Sequence, residues 1–267
     1  MRKSIKKRTN VRFFIDFPAI NITVNSTGIN FMSTLFLIRH GQASFGEKNY
    51  DRLSPLGFRQ SRILGEYLHE ADIRFDAIYC GTMDRQVKTA GEYSLLCSGR
   101  GRPAPEIIYD SRLNEFDAEG VMKTLFPSLL REKPEIKKHT DNFLNDRAAF
   151  QKIFEMIMLM WTSGEYDMRD VSTWDEFSGG VTCCIDEIIK CHDGGKKVAV
   201  FTSGGPISVM INRVLSLSIE QTMAMRDLLV NTSITRFRYS GSRIMMASFN
   251  EYPHLELEKE AGIITYR

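Results

Sequence analysis

Thr34-Leu35-Phe36-Leu37-Ile38-Arg39-His40-Gly41 is the stretch on which the fold turns. Its first five residues form a continuous run, mostly apolar, with no polar alternation. A strand buried on both faces reads this way, and such strands belong to parallel sheets covered by helices. The run then stops on a cation, an imidazole and a glycine. Working outward, Ser54-Pro55 predicts a helix start, with Ser as N-cap and Pro at the first helical position. Leu56, Ile63, Leu64, Tyr67 and Leu68 supply its apolar face at helical spacing. Further strands are predicted over Phe75–Cys80, Glu106–Tyr109 and Lys196–Thr202, and a hairpin over Asn231–Tyr239 and Arg243–Asn250 around Ser240-Gly241-Ser242. Thr82 is expected to cap a helix running towards Cys97. Ser203-Gly204-Gly205-Pro206 is expected to open another, reaching Leu215. Alternating strands and helices imply an α/β fold, a mostly parallel sheet flanked by helices on both faces.

Two regions depart from this rhythm. Residues 118–180 are rich in Phe, Met and charge, with helical stretches near 146–161 and from 174, and read as an inserted helical cap. Residues 1–31 have a basic start and no helical or strand period, so they read as a poorly ordered extension, with Met32 fitting as the start of the domain over 32–267. Six cations against Asp16 put residues 1–31 at +5, so the rest of the chain carries −3 of the overall +2. That balance gives no support to nucleic-acid binding. Hydrophobic residues make up 43% and charged residues 25%, as in globular chains, and no run reaches the ~20 apolar residues of a membrane span. An odd number of cysteines, Cys80, Cys97, Cys183, Cys184 and Cys191, with no CxxC pair, fits free thiols and a cytoplasmic setting. The methionines of 156–160 read as core packing.

Open α/β sheets bind ligands beyond the carboxyl ends of their strands. Those ends carry Arg39-His40-Gly41, then Cys80-Gly81-Thr82-Met83-Asp84-Arg85, then Asn114-Glu115, then Thr202-Ser203-Gly204-Gly205. Each piece suits phosphoryl transfer. A neutral imidazole is a good nucleophile. Two guanidinium forks match a phosphate dianion. Backbone N–H groups at a helix start add donors, and a carboxylic acid can protonate a leaving alcohol. Arg85 is itself a signal, because a cation in the first helical turn opposes the helix dipole by ~0.3–1 kcal/mol and calls for an anion nearby. Asp84 or Glu47 could be that anion, and so could a ligand.

Leu37-Ile38-Arg39-His40-Gly41-Gln42, followed by Leu53-Ser54-Pro55-Leu56-Gly57, Gln60, Arg85 with Thr89-Ala90, Leu113-Asn114-Glu115, Val198–Pro206 and Asn231–Ile234, resembles the histidine phosphatase superfamily over residues 34–250. The resemblance implies a phosphoglycerate-mutase-like fold and a phosphomonoesterase working through a phosphohistidine on His40. Glu115 would be the proton donor, Arg39 and Arg85 the phosphate ligands, and Ser203 and Gly204 further substrate contacts. No metal or cofactor is implied. The substrate would be a phosphorylated small molecule or a phosphoprotein, and nothing bears on nucleic acid, membrane or oligomeric state. One departure stands out: the family usually has a second histidine where this chain has Ser203. The alternative is therefore a binder of phosphorylated ligands with negligible turnover. His69 and His192 precede strands and are expected at the far end of the sheet; His139 lies in the cap and could reach in, and His254 follows the last strand at an end not fixed, each reading as an ordinary surface residue. Cys80 is one residue too close to Arg85 for a cysteine-phosphatase loop. A serine hydrolase of Ser203, Asp227 and His254 would need a glycine where Phe201 stands.

Overall fold

A computed structural model describes residues 32–44, 50–139 and 147–266. The extension expected over residues 1–31 therefore lies outside the described residues, as does Glu47. Along the chain come β1 (Ser33–Arg39), α1 (Pro55–Glu70), β2 (Ala77–Cys80), α2 (Asp84–Gly99), β3 (Ile107–Tyr109), α3 (Ala118–Glu132), α4 (Arg147–Ser163), α5 (Trp174–Cys191), β4 (Lys197–Thr202), α6 (Gly204–Leu215), α7 (Ile219–Asp227), β5 (Ile234–Ser240), β6 (Arg243–Glu251) and a short α8 (Pro253–Glu256). The six strands form one sheet in the order β3-β2-β4-β1-β5-β6. β3, β2, β4 and β1 run parallel, while β5 is antiparallel to β1 and to β6. The expected α/β sheet is present, with an antiparallel edge.

β1 explains the two-sided burial. Its side chains alternate, Leu35 and Leu37 entering one core with residues of α3, α4, α5 and α6, and Phe36 and Ile38 entering the other with α1 and α2. β4 does the same, with Val198 and Val200 on the first side and Ala199 and Phe201 on the second. A strand with helices on both faces has no polar side to show, which is why β1 reads as an unbroken run. The methionines behave as core: Met158 and Met160 are buried beside Trp161. α5 runs unbroken through residue 180, so the expected edge of the insertion falls within a helix.

The first helix begins as read. Ser54 Oγ accepts from Gly57 N at 3.0 Å, and Pro55 takes the first position. Gly41 and Gly57 let this turn lie against the end of β1. A Cβ on Gly41 would sit 2.4 Å from Gly57 O, and one on Gly57 would sit 2.1 Å from Gln42 O. The second helix corrects the expectation for Thr82. Asn114 engages Thr82 twice, accepting from its N–H at 2.6 Å and donating to its hydroxyl at 2.7 Å. Held this way, Thr82 stays outside the helix, and Met83 is the N-cap. The free N–H of Asp84 donates instead to Asp51 Oδ2 at 2.8 Å, so the cap comes from a distant loop.

Candidate active site

The carboxyl ends of β1, β2 and β4, together with the turn that follows β3, open onto one cavity of about 1560 Å³. Its floor holds Arg39, His40, Arg85, Glu115 and Gly204, with Asp51 and Arg226 beside them. Its outer wall includes Met122, Phe126 and Pro127 of α3 and Phe150 and Phe154 of α4. Four of the expected site side chains, those of Arg39, His40, Arg85 and Glu115, thus meet in one place.

His40 is held from several sides. Its backbone N–H donates to Thr202 O at 3.0 Å, and its carbonyl accepts from Thr232 N at 3.2 Å and from Asn231 Nδ2 at 3.1 Å. Thr232 adopts φ of +62°, a strained setting for a β-branched residue, to make that contact. The imidazole Nδ1 donates to Gly41 O at 2.7 Å, since a carbonyl can only accept. Arg85 Nε donates to Nε2 at 3.0 Å, since a guanidinium can only donate. These two partners fix one tautomer, with the lone pair on Nε2. Burial, then the charges of Arg85 and Arg39, hold the imidazole well below its ordinary value of 6.5, so it is neutral at pH 7.

Arg85 finds its anion in Asp51, whose Oδ1 lies 2.6 Å from Nη1. Neither Asp84 nor a ligand is needed to explain a cation at this helix start. Asp51 thus neutralises Arg85 and caps α2 with its two oxygens. Arg39 donates through Nη1 to Leu229 O. Its guanidinium is half-buried on the cavity floor and is pulled down to about 10, chiefly by desolvation and then by the neighbouring charge of Arg226.

Glu115 reaches the floor from the turn after β3. Its carboxylate accepts from Gly205 N at 3.0 and 3.2 Å and lies 3.7 Å from Arg226 Nη2. The N–H expected to hold an anion at the start of α6 is thus taken by a side chain of the protein itself. Gly205 is required for this contact, because a Cβ there would fall 2.0 Å from Glu115 Oε1.

Ser203 is fully buried and is not among the residues that line the cavity, its hydroxyl accepting from Gln86 Nε2 at 2.8 Å. The reason is α2, which brings Gln86 against the start of α6, so that the amide also donates to Leu113 O. Gly204, by contrast, does line the cavity. The serine-hydrolase arrangement is likewise absent among the described residues: Ser203 bonds Gln86, while His254 Nε2 bonds Thr232 Oγ1 at 2.9 Å. His254 is not the surface residue expected: it is buried off the cavity against Thr232, and burial lowers it to about 4. His192 caps α5 and bonds Tyr79 at the far end of the sheet, as expected. The side chain of His139 lies outside the described residues. Burial pushes the Cys80 thiol up to about 12, which leaves it a packed, inert residue. Among the described residues, no three of His, Cys, Asp and Glu converge to hold a metal ion. No helix among them is long and apolar enough to cross a membrane.

Sequence reasoning missed Asp51, Gln86 and Arg226. Asp51 had an indirect signal, since Arg85 demanded an anion. Gln86 and Arg226 had none, because each reaches the site only through packing of its helix.

The chain matches the histidine phosphatase superfamily (branch 1) over residues 35–252. It is 23% identical over 232 residues to a Hydrogenobacter thermophilus protein named "Putative phosphoserine phosphatase 2", covering 84% of this chain and 98% of that one. Among solved structures, a phosphoglycerate mutase from Bacillus anthracis superposes with a TM-score of 0.57 at 19% identity, covering 86% of this chain and 98% of that one. A phosphoserine phosphatase variant from Entamoeba histolytica, crystallised with phosphoserine, superposes equally well at 0.57 and 19% identity, covering 84% of this chain and 100% of that one.

Proposed function

Because the chain belongs to the histidine phosphatase superfamily, we propose that it is a phosphomonoesterase in which His40 takes the phosphoryl group. The observation that carries this reading is the state of His40: neutral and fixed in one tautomer, with its reactive Nε2 beside Arg85 on the cavity floor. Nε2 attacks phosphorus and the P–O ester bond breaks. The leaving alkoxide takes a proton from Glu115, which must enter this step protonated. Water then attacks the phosphohistidine, giving its proton to Glu115, and the N–P bond breaks to release phosphate and the free imidazole. Arg39 and Arg85 balance charge on the phosphoryl oxygens, which in such reactions is the main contribution of the protein. Arg85 must turn its Nε from His40 Nε2 to a phosphoryl oxygen as substrate enters. The helices α3 and α4 act as the cap that selects the leaving group. The ligand is a phosphorylated small molecule or a phosphoprotein.

Ser203 favours the second reading, a binder with negligible turnover, because it carries no charge and does not line the cavity, its hydroxyl accepting from Gln86. A screen of phosphomonoesters with wild-type protein and His40→Ala separates the two. Turnover that vanishes in the variant supports the phosphatase. Binding of phosphate esters with no turnover by either protein supports the binder.

A further inference from the structure

Charge on the cavity floor is unevenly matched. Arg85 has a close carboxylate in Asp51, 2.6 Å away. Arg39 donates to a neutral carbonyl. Arg226 meets Asp227 at 3.2 Å through Nη1 and Glu115 only at 3.7 Å through Nη2. The Nε of Arg39 and the Nε of Arg226 are both buried, with no hydrogen-bond partner among the described residues. A buried donor left unpaired costs ~1–3 kcal/mol, and more when it is charged. The two guanidinium groups also oppose each other, Arg226 being second only to burial in lowering Arg39. Like charges held close, each with a spare donor, are stabilised by an anion between them.

The placement of Arg226 is built in. It lies in the last turn of α7 and over the rings of Phe116 and Phe154, 5.2 and 5.7 Å from their centroids. Its side chain lies beside Gly204, where a Cβ would be 3.4 Å from its Cγ and 3.8 Å from its Nε, ordinary contact distances. The aromatic faces hold the guanidinium plane over the floor, next to the glycine that follows β4.

We infer that Arg226 is a third phosphate-binding cation, acting with Arg39 and Arg85 on the phosphoryl oxygens and supplying the charge that Ser203 does not. This rests on the reading of the cavity as a phosphate-ester site. It concerns the phosphoryl group, not the leaving group, and so differs from two other roles open to an arginine here. One is to hold Glu115 in place. The other is to bind a carboxylate on the substrate.

The test uses the full chain with Arg226→Gln and Arg226→Lys. Binding of inorganic phosphate and of vanadate is measured by calorimetry. Hydrolysis is measured on p-nitrophenyl phosphate, whose leaving group needs no proton, and on an alkyl phosphate with and without a carboxylate. Arg226→Gln is expected to weaken phosphate and vanadate at least about tenfold. It should also lower kcat/KM by about a hundredfold, equally on all three esters. Arg226→Lys keeps the charge without the fork and should fall between. Should Arg226→Gln fail to fold, the lysine variant carries the test through the same loss of phosphate affinity. Unchanged phosphate and vanadate affinity overturns the inference, whether the remaining loss is confined to the alkyl ester or to the carboxylate-bearing one. Wild-type protein that binds no phosphate overturns both this inference and the site reading. Phosphate that depends on His40 and Arg85 but not on Arg226 overturns this inference alone.

Discussion

The floor of the cavity is assembled from strand ends and hydrogen bonds, whereas its outer wall is mostly apolar side chains of α3 and α4, with Glu119, Lys123 and Gln151 among them. On the floor, His40 is fixed by Thr202, Thr232, Asn231, Gly41 and Arg85, and Glu115 by Gly205. Each contact has a direction, so each side chain has one working position. The wall offers Met122, Phe126, Pro127, Phe150 and Phe154, which contribute contact area without direction. A reaction needs atoms placed to a fraction of an ångström, while a leaving group of variable shape does not. The difference therefore separates the step performed from the molecule accepted. Substitutions on the floor should change kcat, and substitutions on the wall should change KM.

The largest effect is expected at His40. His40→Ala should lower turnover by at least about a thousandfold, roughly 4 kcal/mol in the barrier, with phosphate still bound by the arginines. A variant that kept a tenth of the activity would break the assignment of the floor. Glu115→Gln should cost about a hundredfold on alkyl esters and little on aryl esters, because only the alkoxide needs a proton. Equal losses on both would move Glu115 from proton donor to structural support of α6.

Whether these residues could be found in advance depended on how local their signals were. The Arg39-His40-Gly41 end of β1 was legible because a strand with two buried faces stops abruptly at a charged turn. Ser54-Pro55 was legible because a cap is settled within four residues. Thr82 was misplaced because Asn114, 32 residues further along, holds it outside the helix. The direction of the Ser203 side chain was not legible, because a strand-to-helix position says that the backbone reaches the site, not which way the side chain turns. Gln86 decides that direction from another helix. Asp51 and Arg226 show the same limit, since their roles come from the packing of a loop and of α7.

The wall should respond more weakly. Phe126→Ala should raise KM for an aryl phosphate by about tenfold, about 1.4 kcal/mol, and leave kcat and inorganic-phosphate affinity unchanged. A fall in kcat of the same size would mean that the wall also aligns the reacting atoms, and the contrast with the floor would weaken. A separate effect concerns stability, not catalysis. His40 and His254 are both lowered by folding, His254 to about 4. Below about pH 6.5 the unfolded chain binds more protons at these positions than the folded one. Stability should therefore fall as pH drops from about 6.5 towards 4, with His254 contributing up to about 3 kcal/mol. His254→Gln should flatten that slope in melting experiments. An unchanged slope would place the acid sensitivity elsewhere.

The most direct measurement is rapid quenching of wild-type protein with a radiolabelled phosphomonoester, followed by mapping of the labelled peptide. The account predicts a transient phosphoramidate on His40, stable in base and lost in acid, that forms at least as fast as the ester turns over and is absent in His40→Ala. Turnover with no label on His40, or with label on another residue, would contradict it.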